Sequence, residues 1–158
     1  MTPPHDSDGH LDGHPDGHRD GIAGLAGTPV RTPHDAARVM TSLVGPEARG
    51  PAALWCALLD PADRLLPFAL AISDRPPAPE PGFADVLCDD LAALLELHAV
   101  GGSVVLALVG DADEDVCDQL EWSTALTRAA DRGGVPLAAL VAVGPHGHAV
   151  LAPWTDAV

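Results

Sequence analysis

Ser103-Val-Val-Leu-Ala-Leu-Val109 is a seven-residue run without a charge, preceded by Gly101-Gly102 and followed by Gly110-Asp111. Its apolar residues are continuous rather than alternating, the pattern of a central strand buried on both faces. Such a strand needs cover on each side, so its neighbours decide the architecture. Upstream, Phe83, Val86, Leu87, Leu91, Leu94, Leu95 and His98 mark one face of a helix, with Asp85, Asp89, Asp90 and Glu96 mostly outside the stripe. Downstream, Asp111–Asp115 is acidic where a helix dipole favours negative charge, and the helix it opens runs to about Arg132 before Gly133-Gly134. Two final strands, Leu137–Val143 and Ala149–Ala152, flank the turn Gly144-Pro-His-Gly-His148.

Farther upstream, Ala53–Leu59 and Leu65–Ile72 read as a β-hairpin across Asp60-Pro61-Ala62-Asp63, whose Asp and Pro fit the first two places of a type I turn. The prolines between Asp74 and Gly82 remove donors and exclude a regular element there. Thr32-Pro33-His34-Asp35 starts a helix, with Thr32 as N-cap, Pro33 at the first helical position and Asp35 able to complete a capping box. Ala36, Val39, Met40, Leu43 and Val44 carry it to about residue 44, and Gly45 to Pro51 is a linker. The order α, β, β, α, β, α, β, β implies a two- or three-layer α/β sandwich: one mixed β-sheet sandwiched by helices. Three parts follow: a disordered Asp/Gly/His-rich tail over 1–28, a short helix and linker over 29–50, and an α/β domain over 51–158.

Hydrophobic residues make up 47% of the 158, but aromatics only 3%, so the core is built from Leu, Val and Ala. Lysine is absent and all eight basic residues are Arg, a bias expected of a high-GC genome. The formal charge is −15; the first 21 residues hold five Asp and one Arg, a net of −4, which leaves −11 on the rest. So acidic a body repels phosphate backbones and anionic lipid, which argues against nucleic-acid and membrane partners and suits a basic protein partner. The start of the chain has neither a basic n-region nor an apolar h-region, so a cytoplasmic location is expected.

The element order and three segments resemble the RadC-like branch of the JAB/MPN domain family, over about Ala53 to Pro153. Ala57-Leu-Leu-Asp60 through Arg64-Leu65 is similar to the family's opening hairpin. Thr124-Ala-Leu-Thr-Arg-Ala-Ala-Asp-Arg-Gly-Gly-Val-Pro136 is similar to the helix that ends in Gly-Ile-Pro, and Leu140-Val-Ala-Val-Gly144 with His148-Ala-Val-Leu151 to the closing hairpin. The resemblance implies a JAB/MPN-like (deaminase-like) topology. Active members hold Zn²⁺ with His-x-His and an Asp, leaving a position open for the water it activates, and use an earlier Glu as base. Counting back from Gly134-Val135-Pro136 puts the His-x-His on Leu106 and Leu108 and the Asp on Gln119. Leucine cannot ligate a metal, and no Glu lies between Ala52 and Glu80. The resemblance therefore implies a domain without catalysis or cofactor, binding an unknown protein partner or a small ligand.

Other constellations are weaker. His146, His148 and Asp156 repeat the metal-ligand residue types, but the pair sits in a tight turn; with Cys117 they would supply a divergent hydrolase. Asp-Gly-His repeats with a period of four, placing His10, His14 and His18 in a flexible array able to take Zn²⁺ or Ni²⁺ weakly. Glycines and Pro15 oppose a helix there. Cys56, Cys88 and Cys117 fall on apolar faces, where a thiol behaves as a small hydrophobe. Asp111, Asp113, Glu114, Asp115 and Asp118 form a solvated helix start, lacking the Gly and Glu of a calcium loop. His98 is a capping cation or a packed ring.

Overall fold

The computed structural model describes residues 19–110 and 116–152. In chain order its elements are α1 (Arg19–Leu25), α2 (Pro33–Val44), a 3₁₀ turn (Gly45–Arg49), β1 (Ala53–Leu59), β2 (Leu65–Ser73), α3 (Phe83–His98), β3 (Ser103–Val109), α4 (Val116–Gly133), β4 (Leu137–Gly144) and β5 (Gly147–Ala152). The strands form one mixed sheet in the order β2-β1-β3-β4-β5. β3 and β4 run parallel, and the other three pairings are antiparallel.

β3 lies at the centre, and six of its seven residues are buried. Successive side chains point to opposite faces of a strand, and the two halves of the core follow that parity. Trp55, Ala57, Leu59, Val105, Ala107 and Val109 pack beneath α2 with Val39, Met40 and Leu43. Leu54, Cys56, Leu58, Val104, Leu106 and Leu108 pack beneath α3 and α4 with Leu91, Trp122 and Leu126. The result is three layers with helices on both faces. Among the described residues no helix is long and apolar enough to cross a membrane.

Local chemistry accounts for the boundaries. Thr32 Oγ1 accepts the Asp35 amide at 3.0 Å, while the Asp35 carboxylate accepts the Arg31 amide at 3.1 Å, one residue earlier than a capping box requires. That backbone bond holds the Asp35 carboxyl below the usual range despite partial desolvation. In the β1–β2 turn, Asp60 Oδ1 accepts the amides of Ala62 and Arg64, each at 2.9 Å. Asp63 adopts φ 60°, so a type I turn is followed by a left-handed residue. Gly102 is required where α3 hands over to β3, because a Cβ there would run into the Leu59 carbonyl.

Several expectations need correction. Residues 19–28 are not part of a disordered tail: α1 packs Ile22 and Leu25 against the α2-side core. Gly27 and Thr28 then exchange backbone hydrogen bonds with Leu65. Two apolar residues are too few to signal burial in sequence, and the partner strand lies nearly 40 positions away. Residues 1–18 of the expected tail lie outside the described residues, as do 111–115. β5 begins at Gly147, so the last turn is only Pro145-His146, and His148 belongs to a strand. On α3 the buried face is Ala84, Leu87, Cys88, Leu91 and Leu95, whereas Val86 is 62% exposed. His98 stacks on Phe68 with ring centroids 6.2 Å apart, as a packed ring.

Candidate ligand cleft at the end of the sheet

The register gathers several strand ends at one place. Ala53 at the start of β1 lies opposite Ser73 at the end of β2 and Val109 at the end of β3, and Val109 is beside Val143 of β4. In open α/β sheets ligands bind outside the carboxyl ends of the parallel strands, which is this edge.

Arg75 sits two residues beyond β2 and is the one buried charged or polar residue among those described, at 5% exposure. Its amide donates to the Ala52 carbonyl at 2.9 Å, Nε to the Ala53 carbonyl at 3.2 Å and Nη2 to the Val109 carbonyl at 3.1 Å. The guanidinium carbon lies 5.4 Å from the centroid of the Trp122 ring. Trp122 donates from Nε1 to the Pro76 carbonyl at 2.9 Å and meets Phe83 edge-on, with centroids 5.7 Å apart. One side chain thus ties β1, β2 and β3 to α4. Burial of the guanidinium is offset by these carbonyls and by the ring face. Leu54, Ile72, Phe83 and Trp122 form the apolar walls of a cavity of about 200 Å³ here, which Arg75 lines as a fixed cation and Asp74 and Glu80 as two exposed carboxylates. That composition suits a small ligand or an inserted side chain.

The positions matched to the zinc ligands do not form such a site. Leu106 lies between Cys56 and Leu140, and Leu108 between Leu54 and Ala142, at 1% and 0% exposure on the α3/α4 side of the sheet. Hydrocarbon fills the place, so the residues present do not fit a zinc ion. Gln119 is half-buried and lines a different cleft of about 360 Å³ with Gly110, Ala142, His146 and His148. His148 Nδ1 lies 3.3 Å from Thr41 Oγ1 of α2. Among the described residues no group of three His, Cys, Asp or Glu comes together as a metal site. His10, His14, His18 and Asp156 lie outside the described residues.

The cysteines divide. Cys56 and Cys88 are buried, but Cys117 is exposed, against the expectation that all three face the core. Burial pushes the Cys56 thiol up to about 12, with the neighbouring Cys88 adding to the effect. Burial also raises Cys88, helped by Asp85 and Asp89. Both behave as small hydrophobes rather than nucleophiles.

Arg75 is the residue that sequence reasoning missed. Only its place, just after the Ser73-Asp74 that closes an apolar run and before Pro76-Pro77, sets it apart from the other seven arginines, and that does not reveal burial. No family model matches the chain, and no curated protein matches it in sequence.

Proposed function

We propose that the chain is a metal-free relative of the RadC-like JAB/MPN domain that acts in the cytoplasm, without catalysis, by binding another protein or a small ligand. The carrying observation is the sealing of Leu106 and Leu108 into the core, where the resemblance requires two imidazoles. Support comes also from the order of elements from Ala53 onward, hairpin, helix, strand, helix, hairpin, which is the order the resemblance implies. The Arg75–Trp122 pair supplies a preformed binding feature close to that place, since Leu54 lines the cavity and is the cross-strand neighbour of Leu108. Thermal unfolding of the full-length protein, with EDTA and then with equimolar zinc, tests the reading. Coincident curves are expected; zinc-dependent stabilisation of several degrees that survives replacement of His10, His14 and His18 contradicts it.

A second reading rests on His146 and His148 lining one cleft with Gln119. In it the chain is a divergent metal-dependent hydrolase, with Asp156 as a third ligand. Metal-stimulated ester or peptide hydrolysis abolished by His146→Ala with His148→Ala favours it; hydrolysis indifferent to that double substitution removes it.

A further inference from the structure

β2 stands at one end of the sheet, and its nine residues, Leu-Leu-Pro-Phe-Ala-Leu-Ala-Ile-Ser, carry no charge. Edge strands of natural proteins are commonly guarded by charges, prolines or bulges against pairing with other chains. Here the guards are Pro67 and the register irregularity beside it, between the Ala57–Ala69 and Leu59–Leu65 pairs. At its first residue the outer edge already accepts a strand from the chain itself. The Gly27 amide donates to the Leu65 carbonyl at 2.7 Å, the Leu65 amide donates to Thr28 at 3.0 Å, and Pro29 bridges Arg64 in antiparallel sense. That strand-type cover stops at Leu65, although α1 also packs on the α2-side face of β2, beside Ala69. From Phe68 to Ser73 the outer edge has no strand partner among the described residues.

We propose that the Phe68–Ser73 edge binds an extended segment of a basic partner protein by strand addition. Backbone hydrogen bonds would give the affinity, and alternate side chains of the added strand would find apolar surface. That surface exists on the α3 side: Phe68, 37% exposed, stacks on His98, and Leu97 and Val100, which flank His98 in sequence, are 74% and 76% exposed. Charge decides the occupant. Asp63 stands at one end of the strand, and Asp74 and Glu80 at the other. Of the two adjacent arginines, Arg64 donates to the Gly27 carbonyl and Arg75 is buried. A second copy of this chain would bring a further −15, whereas basic residues flanking the added strand meet carboxylates at both ends. The proposal rests on the reading of the chain as a binding module and names the partner's chemistry.

The test uses the full-length protein and two synthetic peptides with a central Val-Thr alternation, one flanked at each end by two Lys and the other by two Glu. The Lys peptide is expected to bind at least about tenfold more tightly than the Glu peptide, and to protect from hydrogen exchange those alternate amides of residues 69–73 that point away from β1. Ala71→Lys, at an exposed position of the strand, is expected to weaken it at least about tenfold, whereas Val150→Lys on the opposite edge strand leaves it unchanged. Absence of binding, equal binding of both peptides, or equal sensitivity to the two substitutions overturns the proposal. So does protection of those outward-facing amides in the free monomeric protein, or a dimer that Ala71→Lys dissolves. Stoichiometric zinc in a protein that still takes the Lys peptide would retire the metal-free reading alone; a metal-free protein that ignores the peptide would retire the edge alone.

Discussion

Arg75 joins three parts of the fold through one buried side chain. Removing it strands the Ala53 and Val109 carbonyls and leaves the Trp122 face without its cation. Arg75→Ala is expected to cost about 2–4 kcal/mol in a urea titration of the full-length protein, and Arg75→Lys to recover only a minor part, because an ammonium cannot span the same forked acceptors. An effect below about 0.5 kcal/mol would show that the buried guanidinium contributes nothing net. Leu106→His with Leu108→His tests the neighbouring place. Two imidazoles set into hydrocarbon are expected to destabilise by several kcal/mol, on the order of 3 or more, and added zinc is not expected to restore stability, since Gln119 faces another cleft.

The thiols give a pH signature at the same scale. With its pKa near 12 in the fold against 9.0 as a free thiol, Cys56 keeps its proton in the native chain while the unfolded chain loses it. The unfolded state then binds fewer protons, so the contribution is fully present below pH 9 and falls as pH rises from 9 towards 12, by up to about 1.4 kcal/mol per pH unit. Denaturant midpoints across that range should move downwards in the wild type and less in Cys56→Ala. A thiol reagent at pH 8 is expected to modify Cys117 rapidly and Cys56 and Cys88 only on unfolding.

Among the elements, the α3–β3 junction is the least tolerant. A methyl group at Gly102 would meet the Leu59 carbonyl and the backbone of Ala99, neither of which can retreat without moving β1 or the end of α3. Gly102→Ala is expected to cost at least about 2 kcal/mol, whereas Gly134, with open space around it, carries only the strain of its φ of +66° and should cost about 1. Periodicity made most elements legible in sequence: continuous burial marked β3, the i, i+3, i+4 spacing marked α2, and Thr32 with Pro33 marked where α2 begins. Legibility failed where a long-range partner decides. The short α1 is ordered by two side chains on a distant core, and the exposed Val86 and buried Ala84 on α3 exchange places because packing against α4, not residue hydrophobicity, sets which stripe faces inward. The candidate cleft was illegible for the same reason, since Arg75, Trp122 and Phe83 meet only once four elements are assembled.

For the whole molecule, charge and topology act together. An acidic body with an uncharged edge strand is expected to bind basic segments more tightly at low ionic strength and to lose most of that preference near 0.5 M salt, where the Debye length falls to about 4 Å. A partner held mainly by apolar contact would show no such decline. In the function proposed for the domain, hydrocarbon at Leu106 and Leu108 stands where the resemblance implies a metal centre. Elemental analysis of the full-length protein, purified without added metal and with His5, His10, His14 and His18 replaced by Gln, tests it most directly. Far less than one zinc per chain is expected; one tightly held zinc per chain would contradict it and return the His146–His148 cleft to the centre of the question.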